Sequence, residues 1–145
     1  MQYAYQIVQQ ENGQYRLVLP EFDNIPSVVM NSAEELKRNL KDGGFATLLE
    51  YNYRREKRAI PLPSVSVGSQ EYETMYVPLI LQAKILLWNY CVEDDTTPAR
   101  LARKVGCSSQ EMQRLLQFDV KVGIDKLESV LNQVGIGLDL VSFKL

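Results

Sequence analysis

The sequence predicts an α+β protein, with a small unit of sheet and helix followed by an all-helical unit. Three patterns support this. Up to about residue 30, apolar residues alternate with polar ones, which is the period of β-strands. After Pro78 the apolar residues recur at the helical period instead. Between residues 96 and 117, two short helices flank Gly106, each preceded by a residue that favours helix starts. We therefore expect β-β-β-α-β over residues 1–78 and only helices over residues 79–145.

The first strands are predicted from alternation. The alternating apolar residues are Tyr3, Tyr5 and Ile7 in the first strand and Tyr15, Leu17 and Leu19 in the second. Asn12-Gly13 lies between them, and Asn-Gly is favoured in hairpin turns. Residues 27–30 are predicted to form a short third strand, and residues 72–78 are predicted to form the last one. The prolines, serine and glycine before that strand indicate an irregular connector over residues 64–70.

A helix is predicted between the third and fourth strands. Ser32 and Glu35 have the spacing of a capping box. The apolar face that follows consists of Leu36, Leu40, Phe45, Leu48 and Leu49. Gly43-Gly44 interrupts this face, and each glycine lowers helix stability by about 1 kcal/mol relative to alanine. We therefore expect a kink or a close backbone contact there. The basic residues at 54–58 suit a helix C-terminus, with nucleic-acid contact as the less favoured alternative.

The second unit begins with a helix whose apolar stripe is predicted to be Leu79, Ile80, Ala83, Leu86, Leu87 and Tyr90. Thr97 then has the position of an N-cap, with Pro98 at the first helical position. Gly106 has the position of a left-handed C-cap. Ser108 and Glu111 make a second capping box. Two short helices joined by a glycine-containing turn are typical of the helix-turn-helix.

This arrangement indicates DNA reading, because the major groove is about 12 Å wide and admits one helix. The candidate base-reading side chains lie opposite the apolar face of the second short helix, and they are Ser109, Gln110, Gln113 and Arg114. Gln suits adenine and Arg suits guanine. The candidate phosphate contacts are the two helix starts, Thr97 and Ser108, with Arg103 and Lys104. The alternative is that these are ordinary solvated residues of a small bundle.

Composition narrows the function classes. The net charge of −2 excludes a uniformly basic nucleic-acid coat, so a DNA contact requires a local patch. Residues 96–126 provide one, with six basic residues against three acidic ones. The absence of histidine excludes Ser-His-Asp and Cys-His catalysis and the commonest zinc ligand. Cys91 and Cys107 do not have the sequence spacing of metal ligands, so we expect both to be reduced thiols. The sequence has no signal-peptide or membrane-spanning pattern, so we expect a cytoplasmic protein without membrane contact.

Residues 97–115 resemble the T-x-x-x-L-A-x-x-x-G-x-S-x-x-x-[IV]-x-x-[LW] pattern of lambdoid phage repressors and their XRE-type relatives. A further helix from Ile124, ended by Gly135, matches the closing helix of that family. The whole chain resembles the HicB-type antitoxins that carry a helix-turn-helix. The motifs are the Tyr-rich first strand, Gly-x-Tyr-x-Leu-x-Leu-Pro-Glu-Phe at 13–22, the capped Glu-Glu-Leu helix, Ile-Pro-Leu-Pro-Ser at 60–64, and Tyr-Val-Pro-Leu at 76–79 with Lys84.

Two departures from the family pattern stand out. Pro26-Ser27 replaces the usual Pro-Gly before the third strand, and Met30-Asn31-Ser32 replaces Gly-Asp-Thr/Ser before the helix. They leave the details of the strand-helix connection open.

The resemblance implies a partial ribonuclease-H-like fold in residues 1–78 that binds and masks a small HicA-type mRNA-interferase toxin. It further implies that residues 79–145 bind operator DNA and dimerise, so that the protein represses its own operon. Catalysis, a cofactor and a metal site are not implied, and the first strand carries no carboxylate for one. Toxins of this class are basic, so the candidate toxin-binding residues are the acidic ones of the first unit, Glu21, Asp23, Glu34 and Glu35.

Two other functions stay open. One is a free-standing helix-turn-helix repressor whose first unit senses a ligand or dimerises, and it would have no toxin partner. The other is an RNA-processing enzyme, which the missing histidines and sparse strand carboxylates disfavour. For a homodimer, the candidate interface is the apolar terminus at 138–145, although packing of this segment against residues 79–90 is an equally good alternative.

Overall fold

The computed structural model describes residues 1–23, 25–64 and 71–145, and these divide into two compact units, Met1–Pro78 and Leu79–Leu145. The strands are β1 (Gln2–Gln9), β2 (Tyr15–Val18), β3 (Val29–Met30) and β4 (Glu73–Tyr76). The helices are α1 (Ala33–Asn39), α2 (Phe45–Leu49), α3 (Leu79–Glu93), α4 (Pro98–Val105), α5 (Ser109–Leu116) and α6 (Ile124–Gln133). The predicted α+β class is confirmed. Residues 65–70 of the predicted connector lie outside the described part.

The strands form one antiparallel sheet in the order β3-β2-β1-β4. The predicted hairpin is confirmed, and its last pair is Gln9 with Tyr15. Its loop is wider than a two-residue Asn-Gly turn, because the Gln10 N–H donates to the Gln14 carbonyl at 2.7 Å. The third and fourth strands are shorter than predicted, since only residues 29–30 and 73–76 pair regularly with their neighbours.

An aromatic cluster forms the core of the first unit. Tyr3 of β1 lies 4.9 Å from Phe22 and 5.5 Å from Phe45 between ring centroids. Phe22 meets Tyr53 edge to face at 5.6 Å. Such tilted contacts place ring edges against ring faces, and they stabilise beyond the apolar area they bury. The cluster therefore joins the sheet to the helical segment and to the turn after β2.

The predicted kink in the first unit's helix is confirmed. Residues Leu40–Gly44 separate α1 from α2, with Gly43 at a φ of 94°. A Cβ on the next residue, Gly44, would overlap the side chain and carbonyl of Asn39, so the backbone approach needs glycine there. Residues Leu40–Gly44 form a π-helical turn, and a second one, Glu50–Arg54, follows α2. The predicted cap is also present, because the Ser32 Oγ accepts the Glu35 N–H at 3.1 Å.

Helix α3 is buried differently from the prediction. Of the six residues in the predicted stripe, only Ala83 and Leu87 are buried. The buried set also includes Leu81, Ile85, Trp88 and Cys91. This helix is apolar on nearly every side, so its sequence does not define a single inner face. It packs against α5 and α6.

Residues 136–145, beyond α6, form neither helix nor strand, and Leu140, Val141 and Leu145 are exposed. No helix in the described ranges has the combination of length and apolar character needed to cross a bilayer.

Candidate functional site

The candidate site is formed by α4, the turn at Gly106 and α5. Gly106 ends α4 in the left-handed conformation, at a φ of 77° and a ψ of 35°. Its N–H and that of Cys107 both donate to the Ala102 carbonyl, at 2.9 and 3.0 Å. Ser108 is then the N-cap of α5, which begins at Ser109. The positive φ permits this abrupt change of direction at little cost only because the residue is glycine.

Both helices start at the predicted caps. The Thr97 Oγ1 accepts the Arg100 N–H at 3.2 Å, and the Ser108 Oγ accepts the Glu111 N–H at 3.1 Å. The Glu111 carboxylate itself forms an ion pair with Lys126 of α6. The start of α5 is therefore fixed by a backbone cap and by a link to the following helix.

The inner faces of the two helices are apolar and closed to solvent. The buried residues are Leu101 and Ala102 of α4 and Met112, Leu115 and Leu116 of α5, each no more than 2% exposed. Burial of each leucine or methionine side chain in this set contributes about 1.5–3 kcal/mol. The buried face of α5 is thus held against the core of the second unit.

The outer face of α5 carries the predicted base-reading residues. Ser109, Gln110, Gln113 and Arg114 are all exposed. Within the described residues, none of these four side chains makes an intramolecular hydrogen bond or ion pair. Gln110 and Arg114 are four residues apart and so share one side of the helix. Their donors and acceptors remain available to an outside partner.

The two basic residues of the last turn of α4 differ in their surroundings. Lys104 donates to the Tyr90 hydroxyl at 2.9 Å, and this hydrogen bond raises the pKa of Lys104. The hydroxyl in turn donates to Asp94 at 3.2 Å. Arg103 is exposed, and within the described part of the chain its guanidinium has no partner. Both side chains are cations on the surface of α4, but Lys104 is tethered and Arg103 is not.

A residue for which the sequence predicts no structural role lies beneath this site. Lys84 of α3 is fully buried, and its Nζ donates to the carbonyls of Arg114, Gln117 and Val120 at 3.0, 2.5 and 2.6 Å. These carbonyls belong to the end of α5 and the turn that follows it. The available signal was a single lysine within a predominantly apolar helix, since lysine is almost never fully buried unless its charge is satisfied.

The acidic candidates of the first unit are not equivalent. Glu34 and Glu35 are exposed in the first turn of α1, and Asp23 is exposed after β2. Glu21 is half-buried, and one of its carboxylate oxygens accepts the Ser64 N–H at 2.7 Å. Three of the four carboxylates therefore face solvent, whereas Glu21 is engaged by its own chain.

The basic residues at 54–58 are largely used within the unit. Arg54 forms an ion pair with the buried Glu50. The Arg58 guanidinium lies 4.7 Å from the centre of the Tyr53 ring and donates to the Asp23 carbonyl at 3.3 Å. These contacts favour the interpretation in which the cluster stabilises the end of the helical segment.

Comparison with known proteins gives a consistent set of relatives, although no family model matches the chain. It is 37% identical over 90 residues to "Antitoxin HicB 2" of Photorhabdus laumondii, a match covering 62% of each chain. It is 32% identical over 75 residues to "Antitoxin HicB" of Pseudomonas fluorescens, covering 51% of each. These two matches thus span less than two thirds of the relatives' lengths. Identity to "Antitoxin HicB" of Escherichia coli K12 is 27% over 142 residues, covering 97% of this chain and 99% of the relative. These similarities, at modest identity, support a HicB-type antitoxin.

Proposed function

We propose that this chain is a HicB-type antitoxin whose first unit masks a HicA-type mRNA-interferase toxin and whose second unit represses its own operon. The similarity to antitoxins named HicB, which extends over 97% of the chain in the match to the Escherichia coli K12 protein, supports the antitoxin role. The outer face of α5 carries the DNA-binding part of the proposal, because it presents polar side chains that nothing in the described chain engages. In this proposal the protein is not an enzyme.

In the proposed DNA complex, α4 and α5 form a helix-turn-helix, and α5 enters the major groove. Gln110 and Arg114 read base edges, since Gln pairs two-pronged with adenine and Arg with guanine. Ser109 and Gln113 lie beside them on the same outer face. The helix starts at Thr97 and Ser108, together with Arg103 and Lys104, contact phosphates and set the position of the helix on the duplex.

For the toxin, the proposed binding surface lies on the first unit. Its exposed carboxylates, Asp23, Glu34 and Glu35, attract a basic partner and raise the rate of encounter. Glu21 contributes less directly, because its carboxylate accepts a hydrogen bond from Ser64. Charge reversal of Glu34 and Glu35 should slow association with the toxin at low salt and change the rate little at high salt. An unchanged rate at low salt would remove these residues from the proposed surface.

We also propose that the second unit dimerises through residues 138–145. Leu140 and Val141 are 78% and 80% exposed, and Leu145 is 99% exposed. An exposed apolar segment of this kind indicates an interface, and a dimer reads two half-sites about one helical turn apart. Deletion of residues 138–145 should give a monomer with weakened operator binding. A deletion variant that remains dimeric would place the interface elsewhere.

The experiment that tests the proposal is co-expression of the full chain, or of residues 1–78, with the product of the adjacent open reading frame, which the proposal expects to be a HicA-type toxin. Both should restore growth and co-purify with the toxin, provided circular dichroism shows that the fragment is folded. The matched control is Arg114→Ala in the full chain, which should neutralise the toxin as well as the unaltered chain. A folded fragment that fails to bind the toxin would contradict the assignment of toxin binding to the first unit.

The alternatives give different results in the same experiment. A free-standing repressor would select a specific duplex from random DNA yet neither bind nor neutralise the toxin. An RNA-processing enzyme would cleave RNA in a metal-dependent manner when purified alone.

A further inference from the structure

Lys84 is the buried residue that the proposed function leaves unexplained. Its side chain is completely closed to solvent in α3, and three carbonyl oxygens lie within 3.0 Å of its Nζ. An ammonium group has three N–H donors, so it can donate to several carbonyls at once. Carbonyls at the C-terminal end of a helix lack helical partners and carry partial negative charge, which favours a cation there. Lys84 thus caps the end of α5 from a neighbouring helix.

This cap restrains α5 in a way that apolar packing does not. Met112, Leu115 and Leu116 hold the helix against the core, but hydrophobic burial is non-directional and tolerates small rotations or sliding. Hydrogen bonds to three converging carbonyls fix both the axial position and the tilt of the helix end. One of the three is the main-chain carbonyl of Arg114, the residue whose exposed side chain is proposed to read a base.

We infer that Lys84 is a positioning residue for DNA specificity: by holding the Arg114 backbone, it determines where the Arg114 guanidinium lies in the groove. The inference rests on the proposed function, since it concerns base reading by α5. Lys84 is buried, so it acts on DNA only through the residue it holds. Two-pronged Arg contacts depend on orientation, and a small displacement of the backbone weakens them while leaving contacts to phosphates nearly intact.

The test uses the full chain and a duplex that it selects from a random DNA library, with an unselected duplex of equal length as the non-specific probe. Lys84→Met keeps a similar length but has no donors. Lys84→Arg keeps a cation but replaces a compact ammonium by a planar fork that cannot match three converging carbonyls. Cys91→Ala is the matched control, because Cys91 is also buried in α3 but does not donate to these carbonyls. All affinities are measured where circular dichroism shows every variant to be folded.

Lys84→Met should bind the selected duplex about tenfold more weakly, which lies within the range for one lost two-pronged base contact. Its affinity for the unselected duplex should change less than about twofold, because those contacts are to phosphates. Lys84→Arg should show a smaller loss of the same selective kind. Cys91→Ala should lower thermal stability without changing the ratio of the two affinities.

A double-mutant cycle separates positioning from general stability. Positioning predicts that Lys84→Met costs little further affinity once Arg114→Ala is present, whereas Cys91→Ala and Arg114→Ala combine additively. Additive effects of Lys84→Met and Arg114→Ala, or equal losses on both duplexes, would overturn the inference while leaving DNA reading by α5 intact. If Lys84→Met does not fold, Lys84→Arg takes its place in the cycle with the same criteria. If the unaltered chain selects no duplex, the proposed DNA binding fails, and this inference fails with it.

Discussion

The two units of the molecule differ in which charged side chains they engage internally. In the first unit, several charged side chains form ion pairs or hydrogen bonds with one another or with neighbouring side chains: Arg54 pairs with buried Glu50, and Glu73 binds both Tyr5 and Lys37. In the second unit, a lysine is buried beneath α5 while Arg114 on its outer face has no intramolecular partner within the described residues. Unpaired polar side chains on a rigid helix therefore distinguish a surface suited to recognition from a surface whose charges stabilise the fold.

Helix caps do not make this distinction. Ser32 and Ser108 each accept an N–H from the third residue on, at 3.1 Å in both cases. What differs is the far end of each helix. α1 runs into the kink at Gly43, whereas the end of α5 is held by Lys84. The same starting motif thus leads to a kinked segment in one unit and to a helix anchored at both ends in the other.

The largest expected effect comes from removing the packing beneath α5. Leu115 is 2% exposed, so Leu115→Ala should lower the free energy of unfolding of the second unit by about 2–5 kcal/mol. Chemical denaturation of the full chain measures this loss. Gln113→Ala on the outer face is the matched control and should stay within about 0.5 kcal/mol of the unaltered chain. If the two variants were equally stable, the inner and outer faces of α5 would be wrongly assigned.

A smaller effect sharpens the comparison between the caps. Ser32→Ala and Ser108→Ala should each cost about 1 kcal/mol of stability, because each removes an acceptor from a free helix N–H. Only Ser108→Ala should also weaken DNA binding, since only α5 is proposed to lie on the duplex. Thermal denaturation and a DNA titration on the same two samples measure both quantities. Equal weakening of DNA binding by both variants would mean that the two helix starts do not differ in function.

The smallest effect concerns the internal charges of the first unit. Hydrogen bonds from the Tyr5 hydroxyl and from Lys37 hold the pKa of Glu73 below its ordinary value. A carboxyl whose pKa is lower in the folded state contributes stability near neutral pH and loses it as the pH falls through that lowered value. Melting temperatures measured from pH 6 to pH 3 should therefore fall less steeply for Glu73→Gln than for the unaltered chain. Because Glu73 is largely exposed, the difference should be small, and parallel curves would show that the network adds nothing.

The features that the sequence predicted correctly depend on a few adjacent residues. The caps at Ser32, Thr97 and Ser108 and the left-handed turn at Gly106 follow from short-range hydrogen bonding and backbone sterics. The ends of β3 and β4 were missed, because pairing with a neighbouring strand determines where a strand stops.

The buried face of α3 was also missed, because the apolar residues of that helix lie on nearly all of its sides. The role of Lys84 as a cap of α5 could not be predicted from the sequence pattern either. Its partners lie 30 to 36 residues away along the chain, so no local rule connects them.

The central claim is that α5 reads base sequence while cations on α4 contact phosphates. The most direct test compares Arg114→Ala with Lys104→Ala on the selected and unselected duplexes at one salt concentration. Arg114→Ala should cost about 1–3 kcal/mol on the selected duplex and little on the other, whereas Lys104→Ala should weaken both alike. If both variants weakened both duplexes by the same factor, or if neither had an effect, α5 would not be the reading helix.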